Sequence, residues 1–165
     1  MQRWFLIGFL SCVTACTPAL NWREATVDRV AVLLPCKPDR AQRTVRLADQ
    51  DVQLTMAGCE AGGALFAVSH LRVPQERAQE TVAAWRKVTL ANMQAGAPID
   101  VPLGRGMPNV VVQRIAAKGK RPDGSPVQAQ LAWMASGADV FHLAVYADRL
   151  TPDMLDNLFS GIKLQ

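Results

Sequence analysis

Residues 127–146 read VQAQLAWMASGADVFHLAVY and decide the fold class of the chain. Both halves of this stretch carry large apolar side chains at even spacing, which is the period of a β-strand. These side chains are Val127, Leu131, Trp133, Phe141, Leu143 and Val145. The intervening Ser136-Gly137-Ala138-Asp139 is typical of a tight turn. A connection this short favours antiparallel pairing of the two strands.

The segments around this hairpin predict more strands and two helices. Strand-like patterns separated by turn residues lie at 30–34, 44–47, 52–56, 64–71, 110–117 and 162–164. One helix is predicted to begin at Pro74 and to end at Gly96, and a second to follow the capping sequence Thr151-Pro152-Asp153. We therefore predict an α+β fold, in which a single antiparallel sheet of about seven strands is covered by two helices.

The first residues of the chain predict export. Arg3 precedes an apolar run from Trp4 to Val13, and small residues follow this run. This is the pattern of a secretory signal peptide. The run is about half as long as the ~20 residues of a membrane-spanning helix, so we predict cleavage. The chain then divides into a signal peptide at 1–15, a lipidated N-terminus and tether at 16–28, and an α+β domain at 29–165.

The end of the predicted signal peptide, Val13-Thr14-Ala15-Cys16, resembles the lipobox of bacterial lipoproteins. The resemblance implies that Cys16 becomes the mature N-terminus, carries a lipid and anchors the protein at the periplasmic face of the envelope. Thr17 is not acidic, which by the same resemblance indicates the outer membrane. The alternative is an ordinary cut after Ala15, which leaves Cys16 as a free thiol.

Two cysteines, Cys36 and Cys59, remain in the predicted domain, and disulfides persist in exported proteins. We predict that they form a disulfide. Each cysteine follows a predicted strand, and a disulfide requires Cα atoms within about 7 Å. Either the two turns lean together or the strands at 30–34 and 52–56 pair directly. The alternative is a pair of buried thiols that pack as small apolar groups.

A broader resemblance covers most of residues 30–165. Val32 to Pro38 (VLLPCKP), strand pairs before one long amphipathic helix, and the ending Phe159 to Leu164 (FSGIKL) resemble small exported proteins of the PsbP/Mog1-like fold. Members of this fold are mostly lipoproteins, assembly factors or unassigned modules, which implies a role without catalysis. No family site can be carried over to residues of this chain.

The sequence predicts neither a catalytic residue nor a metal site. His70 and His142 are the only histidines, and a metal site would need a further ligand such as Glu60 or Asp139. Two histidines without a third local ligand are a weak zinc signal, so packed strand histidines are the favoured interpretation. Ser69 and His70 are neighbours on a strand, and neighbouring side chains point to opposite faces of a sheet. His70 therefore cannot act as the general base that activates Ser69 as a nucleophile.

The charge of the chain is mildly basic, at +4, and does not indicate nucleic acid binding. Two basic groups are candidates for contact with anionic lipid headgroups or an acidic partner. They are Arg114, Lys118, Lys120 and Arg121 on one hairpin, and Lys37, Arg40, Arg43 and Arg46 on another. Solvated strand faces explain them equally well. Gly104-Arg105-Gly106 is not followed by a helix, so no nucleotide cofactor is predicted.

These patterns lead to two expectations of function. The first is a lipid-anchored periplasmic module that acts by binding in envelope assembly, with the membrane and an envelope protein as its partners. The alternative is a lipoprotein that binds a small ligand in an apolar pocket under the helix at 74–95, where Trp85, Trp133 and Phe141 are candidate lining residues. An envelope hydrolase would require convergent titratable groups, which we do not find.

Overall fold

The structure is a computed structural model, and it describes residues 20–102 and 110–165. Its helices are α1 (Ala78–Asn92), which a 3₁₀ turn at Gln75–Arg77 precedes, and α2 (Pro152–Ser160). Its strands, in chain order, are β1 (Arg23–Val27), β2 (Val30–Leu34), β3 (Asp39–Leu47), β4 (Gln50–Ala61), β5 (Ala64–Arg72), β6 (Ile99–Asp100), β7 (Val111–Lys120), β8 (Pro126–Ser136), β9 (Asp139–Ala147) and β10 (Lys163–Leu164).

A seven-stranded antiparallel sheet forms the centre of the fold, with the order β3-β4-β5-β9-β8-β7-β6. The predicted hairpin at 127–146 is confirmed as β8 and β9, which pair from Ser136 opposite Asp139 outwards. Because β9 also pairs with β5, this hairpin lies in the middle of the sheet and is covered on both faces. Its near-continuous burial follows from that position.

The prediction of a single sheet is wrong, because β1, β2 and β10 form a separate three-stranded sheet. Strand β2 pairs antiparallel with both neighbours. Val30, Val32 and Leu34 are fully buried, so β2 packs as a layer on the large sheet and does not extend its edge. Strand β1 lies inside the segment that the sequence predicted as a tether.

The face of the large sheet that packs against the small sheet is called the closed face. It carries a dense core of Phe66, Val68, Phe141, Leu143 and Val145. The small sheet and the apolar side of α2 complete this core, with Met154 and Leu158 buried from the helix. The closed face therefore has two covers, which together bury it.

The opposite face is called the open face, and α1 is its cover. Leu71, Leu131 and Trp133 are fully buried there. Helix α1 contributes four buried residues to this cover, namely Ala78, Thr81, Val82 and Trp85. The helix ends at Asn92, before the predicted end at Gly96. The reason is that Gln94 adopts a positive φ of 48° and turns the chain away from the helix axis.

The predicted disulfide is present, with the Cα atoms of Cys36 and Cys59 separated by 6.0 Å. The reason given for it is wrong in two respects. Cys59 lies within β4 opposite Phe66, not in a turn, and the strand before Cys36 belongs to the other sheet. The disulfide therefore joins the two sheets to each other.

Candidate functional site

A groove with a volume of about 1130 Å³ runs beside α1 on the open face of the large sheet, and we call it the α1 groove. Its helical wall consists of Trp85, Val88, Thr89 and Asn92. The spacing of these residues is i, i+3, i+4 and i+7, which places them on one side of the helix. The side of α1 next to its buried stripe therefore faces the groove.

Apolar side chains from β3, β4, β5 and β9 form the floor of the α1 groove. They are Val45, Leu54, Met56, Ala67, Leu71 and Ala144. Among the described residues, three large hydrophobic side chains are exposed, and two of them lie in this groove. Leu65 on the sheet is 39% exposed and Val88 on the helix is 46% exposed. The groove thus leaves apolar surface open to solvent on both of its walls.

The two titratable groups on the floor are uncharged near neutral pH. His142 stacks on Trp133 with ring centroids 4.8 Å apart and lies 5.2 Å from the ring of Trp85. Burial lowers the pKa of His142 to about 3 and raises the pKa of Tyr146 to about 12. Both side chains are therefore neutral, and the floor suits an apolar ligand.

The rim of the α1 groove is cationic. Arg43 and Arg46 lie on β3, and Lys120 and Arg121 lie at the end of β7. Arg121 is partly neutralised by Asp148, since the two side chains form an ion pair of 2.7 Å. Glu60 is the one acidic side chain among the described lining residues. The rim therefore favours an anionic group over a cationic one.

The structure divides the basic group predicted for contact with anionic surfaces. Lys120 and Arg121 line the groove, and Lys118 is exposed outside it. Arg114 lies on the closed face, donates a 2.6 Å hydrogen bond to Gln130 and stacks over the ring of Phe159. Burial lowers the pKa of Arg114. Its role in the structure is therefore packing.

The second basic group is divided in the same way. Arg43 and Arg46 line the groove, whereas Arg40 donates a 2.9 Å hydrogen bond to the carbonyl oxygen of Thr26 and so links the two sheets. Lys37 is exposed beyond the end of β2. No short sequence motif marks the four groove cations, because β3 and the end of β7 meet the groove only through the fold.

The candidate aromatic lining is also divided. Trp85 lines the groove, Trp133 is fully buried below His142, and Phe141 points to the closed face. Ser69 and His70 lie on opposite faces, as predicted: Ser69 lines the groove, while His70 packs beside Asp139 on the other side of the sheet.

Some predicted features lie outside the described residues. They are the signal peptide, the lipobox Val13-Thr14-Ala15-Cys16, Thr17 and the Gly104-Arg105-Gly106 loop. In the part of the chain that the structure covers, no helix is both long enough and apolar enough to cross a bilayer.

Comparison with known proteins finds no matching family model and no matching curated protein. The resemblances to bacterial lipoproteins and to the PsbP/Mog1-like fold therefore remain predictions.

Proposed function

We propose that this protein is a lipid-anchored module of the bacterial envelope that acts by binding, and that the α1 groove holds an anionic amphiphile with one long aliphatic chain. The observation that carries the proposal is the combination of an uncharged apolar floor with a cationic rim. An aliphatic chain gains about 0.8 kcal/mol for each buried CH₂ group. Arg43 and Lys120 then attract the anionic head of the ligand.

The volume of the groove supports a ligand rather than a flat protein interface. Ligand pockets in proteins usually measure about 300–1,000 Å³, and the α1 groove, with about 1130 Å³, slightly exceeds this range. Of the two functions expected from the sequence, the geometry therefore favours the ligand-binding lipoprotein over the assembly module. No catalytic role is proposed for the residues that line the groove.

The position of the first described residues supports a ligand taken from the membrane. Leu20 packs beside Gly62, since a methyl group added to Gly62 would approach the Leu20 side chain to 3.1 Å. Gly62 and Gly63 line the groove. From Leu20 back to Cys16 the chain spans at most about 14 Å. A lipid on Cys16, as proposed for the periplasmic face of the outer membrane, would therefore hold this part of the groove wall close to the bilayer.

A displacement titration tests the proposed ligand. The purified protein is first loaded with a polyene fatty acid that fluoresces in apolar surroundings, and the probe is then displaced by dodecanoate. We expect saturable binding with one site per chain. Val88→Glu should weaken binding at least about 10-fold, because it places an anion on the apolar helical wall. The matched control is Ile99→Glu, which changes an exposed hydrophobic residue outside the groove.

The charge of the ligand is tested by comparing dodecanoate with the neutral 1-dodecanol. Arg43→Gln combined with Lys120→Gln should weaken binding of dodecanoate several-fold and leave binding of dodecanol unchanged. If Val88→Glu and Ile99→Glu weaken the affinity for dodecanoate equally, or if no saturable binding occurs, the groove is not the binding site. If the double variant loses affinity for dodecanoate and for dodecanol to the same extent, the cationic rim does not recognise the charge of the ligand.

A further inference from the structure

A further cavity among the described residues lies on the other side of the large sheet and is polar. It measures about 400 Å³, and its walls include Asp28, Gln42, Gln53, Thr55 and His70. These side chains belong to the β1–β2 turn, β3, β4 and β5, beside the edge of the small sheet. We propose that Asp28 and His70 bind a divalent transition metal ion of the Zn²⁺ type at this cavity, with Asp139 orienting the imidazole.

Asp139 fixes the orientation of the His70 ring. The Oδ1 atom of Asp139 lies 3.0 Å from Nε2 of His70, and Asp139 is 2% exposed. The side chains of Arg29 and Arg72 lie 3.5 and 4.0 Å from the same carboxylate. A carboxylate between two guanidinium groups accepts hydrogen bonds, so Nε2 of His70 carries the donated hydrogen. This is the carboxylate–histidine arrangement that supports metal-binding imidazoles in proteins.

The other ring nitrogen of His70 is left with a free lone pair. Nδ1 lies 3.4 Å from Oδ2 of Asp28 and makes no hydrogen bond with any described residue. Two acceptor atoms at this separation repel each other, and a cation between them would turn this repulsion into attraction. A proton and a metal ion would each do so, and the two would set different distances between Nδ1 and Oδ2.

A charge-assisted hydrogen bond from an imidazolium ring to a carboxylate would measure about 2.7–2.9 Å. Two ligand atoms that bind one Zn²⁺ ion at about 2.0–2.1 Å, with a tetrahedral angle between them, lie about 3.4 Å apart. The Nδ1 to Oδ2 distance of 3.4 Å therefore fits a shared metal ion better than a shared proton. Side-chain oxygens or nitrogens of Asp28, His70 and Asp139 all lie within 4.8 Å of one another.

This inference reverses the sequence-based expectation of no metal site. That expectation rested on a missing local ligand, and the ligand is Asp28, which the small sheet brings to His70 from a turn far away in the sequence. Two protein ligands leave the remaining positions of the ion open to the polar cavity, which water or an oxygen-containing ligand can fill. The site lies on the opposite face from the α1 groove, so the two proposals stand independently.

Titration of the chelator-treated protein with Zn²⁺ by calorimetry, and with Co²⁺ by visible absorption, tests the site. We expect one ion per chain and a Co²⁺ spectrum of a low-coordinate site. Asp28→Asn should weaken binding at least about 10-fold, and Asp139→Asn by about 10–100-fold through loss of ring orientation. Asp51→Asn is the matched control, because Asp51 lines the same cavity but pairs with Arg46.

Asp28 lies in a turn and is partly exposed, so its substitution leaves a folded protein in which binding is measurable. His70→Gln should also remove the Co²⁺ absorption, and circular dichroism checks that this buried substitution leaves the fold intact. The proposal is overturned if no saturable binding occurs. It is also overturned if Asp51→Asn and Asp28→Asn weaken binding equally.

Discussion

The two faces of the large sheet are built from the same strands but have different covers. Phe66 and Leu65 are neighbours on β5, yet Phe66 is 0% exposed on the closed face and Leu65 is 39% exposed on the open face. The closed face is covered by a second sheet and a helix, and the open face by one helix. Alternating residues of one strand thus supply a core on one side and a groove wall on the other.

The width of the covers explains the difference. Seven strands spaced ~4.8 Å apart make a sheet roughly 29 Å wide. A helix with its side chains is only about 10–12 Å across. One helix therefore leaves much of the open face bare, whereas the small sheet with α2 matches the closed face. The groove forms where the helix leaves the sheet uncovered. The apolar residues that any sheet face carries are enough to form its floor.

The largest expected effect comes from Phe66→Ala on the closed face. Phe66 is fully buried and packs edge-on against Trp22 with ring centroids 5.8 Å apart. Its truncation should lower the free energy of unfolding by about 3–5 kcal/mol. Leu65→Ala should cost less than about 1 kcal/mol, since the Leu65 side chain already contacts water in the folded protein. Urea denaturation measures both, and similar losses would contradict the division into a closed and an open face.

The second largest effect is expected from the disulfide on the closed face. Cys36 and Cys59 are separated by 23 positions, and opening a loop of this length should cost about 3 kcal/mol. Replacing both cysteines by Ala should therefore lower the denaturation midpoint strongly. The reduced wild-type protein provides the control and should behave like the double variant. Equal stability of the oxidised and reduced proteins would rule out this role.

The open face should make the protein sensitive to acid through His142. Burial lowers the folded-state pKa of His142 to about 3, below the unfolded value near 6.5. The unfolded chain therefore binds the proton first, and stability falls as the pH drops from about 6.5 towards 3, by roughly 1 kcal/mol per pH unit. Above pH 6.5 neither state is protonated at this residue, and the effect vanishes.

His142→Phe removes the titrating group and keeps a ring between Trp85 and Trp133. The unfolding free energy of the wild type minus that of the variant should therefore be constant above pH 7 and should decrease below pH 6. A difference that stays constant down to pH 4 would show that His142 is not buried in its neutral form.

Local signals made part of this fold predictable. Helix α2 begins at Pro152, directly after the N-cap residue Thr151, and ends before Gly161, where the capping residues place it. The β8–β9 hairpin carries its own turn and its own alternation. In these segments the residues that determine the structure are close in sequence, so that local patterns are sufficient.

The small sheet and both candidate sites depend on distant residues. Strand β10 pairs with β2 across most of the chain, and no local pattern selects that partner. In β1 only Ala25 and Val27 are buried, and the charged Arg23 and Glu24 obscure this alternation. The groove results from an uncovered surface, and the Asp28–His70 contact results from packing between sheets. Sequence patterns describe neither.

The smallest expected effect compares two arginines, one on each face. Arg114→Gln on the closed face should cost about 1 kcal/mol in unfolding free energy. It removes a charge-assisted hydrogen bond of 2.6 Å to Gln130 and a guanidinium group that lies 4.2 Å above the ring centre of Phe159. Arg43→Gln at the groove rim should leave stability unchanged within about 0.5 kcal/mol, because Arg43 is exposed. The reverse holds for dodecanoate, whose affinity should fall for Arg43→Gln and not for Arg114→Gln. Urea denaturation measures the unfolding free energy of both variants, and the displacement titration measures their affinity for dodecanoate. If either variant loses both stability and affinity, the two faces are not functionally separate.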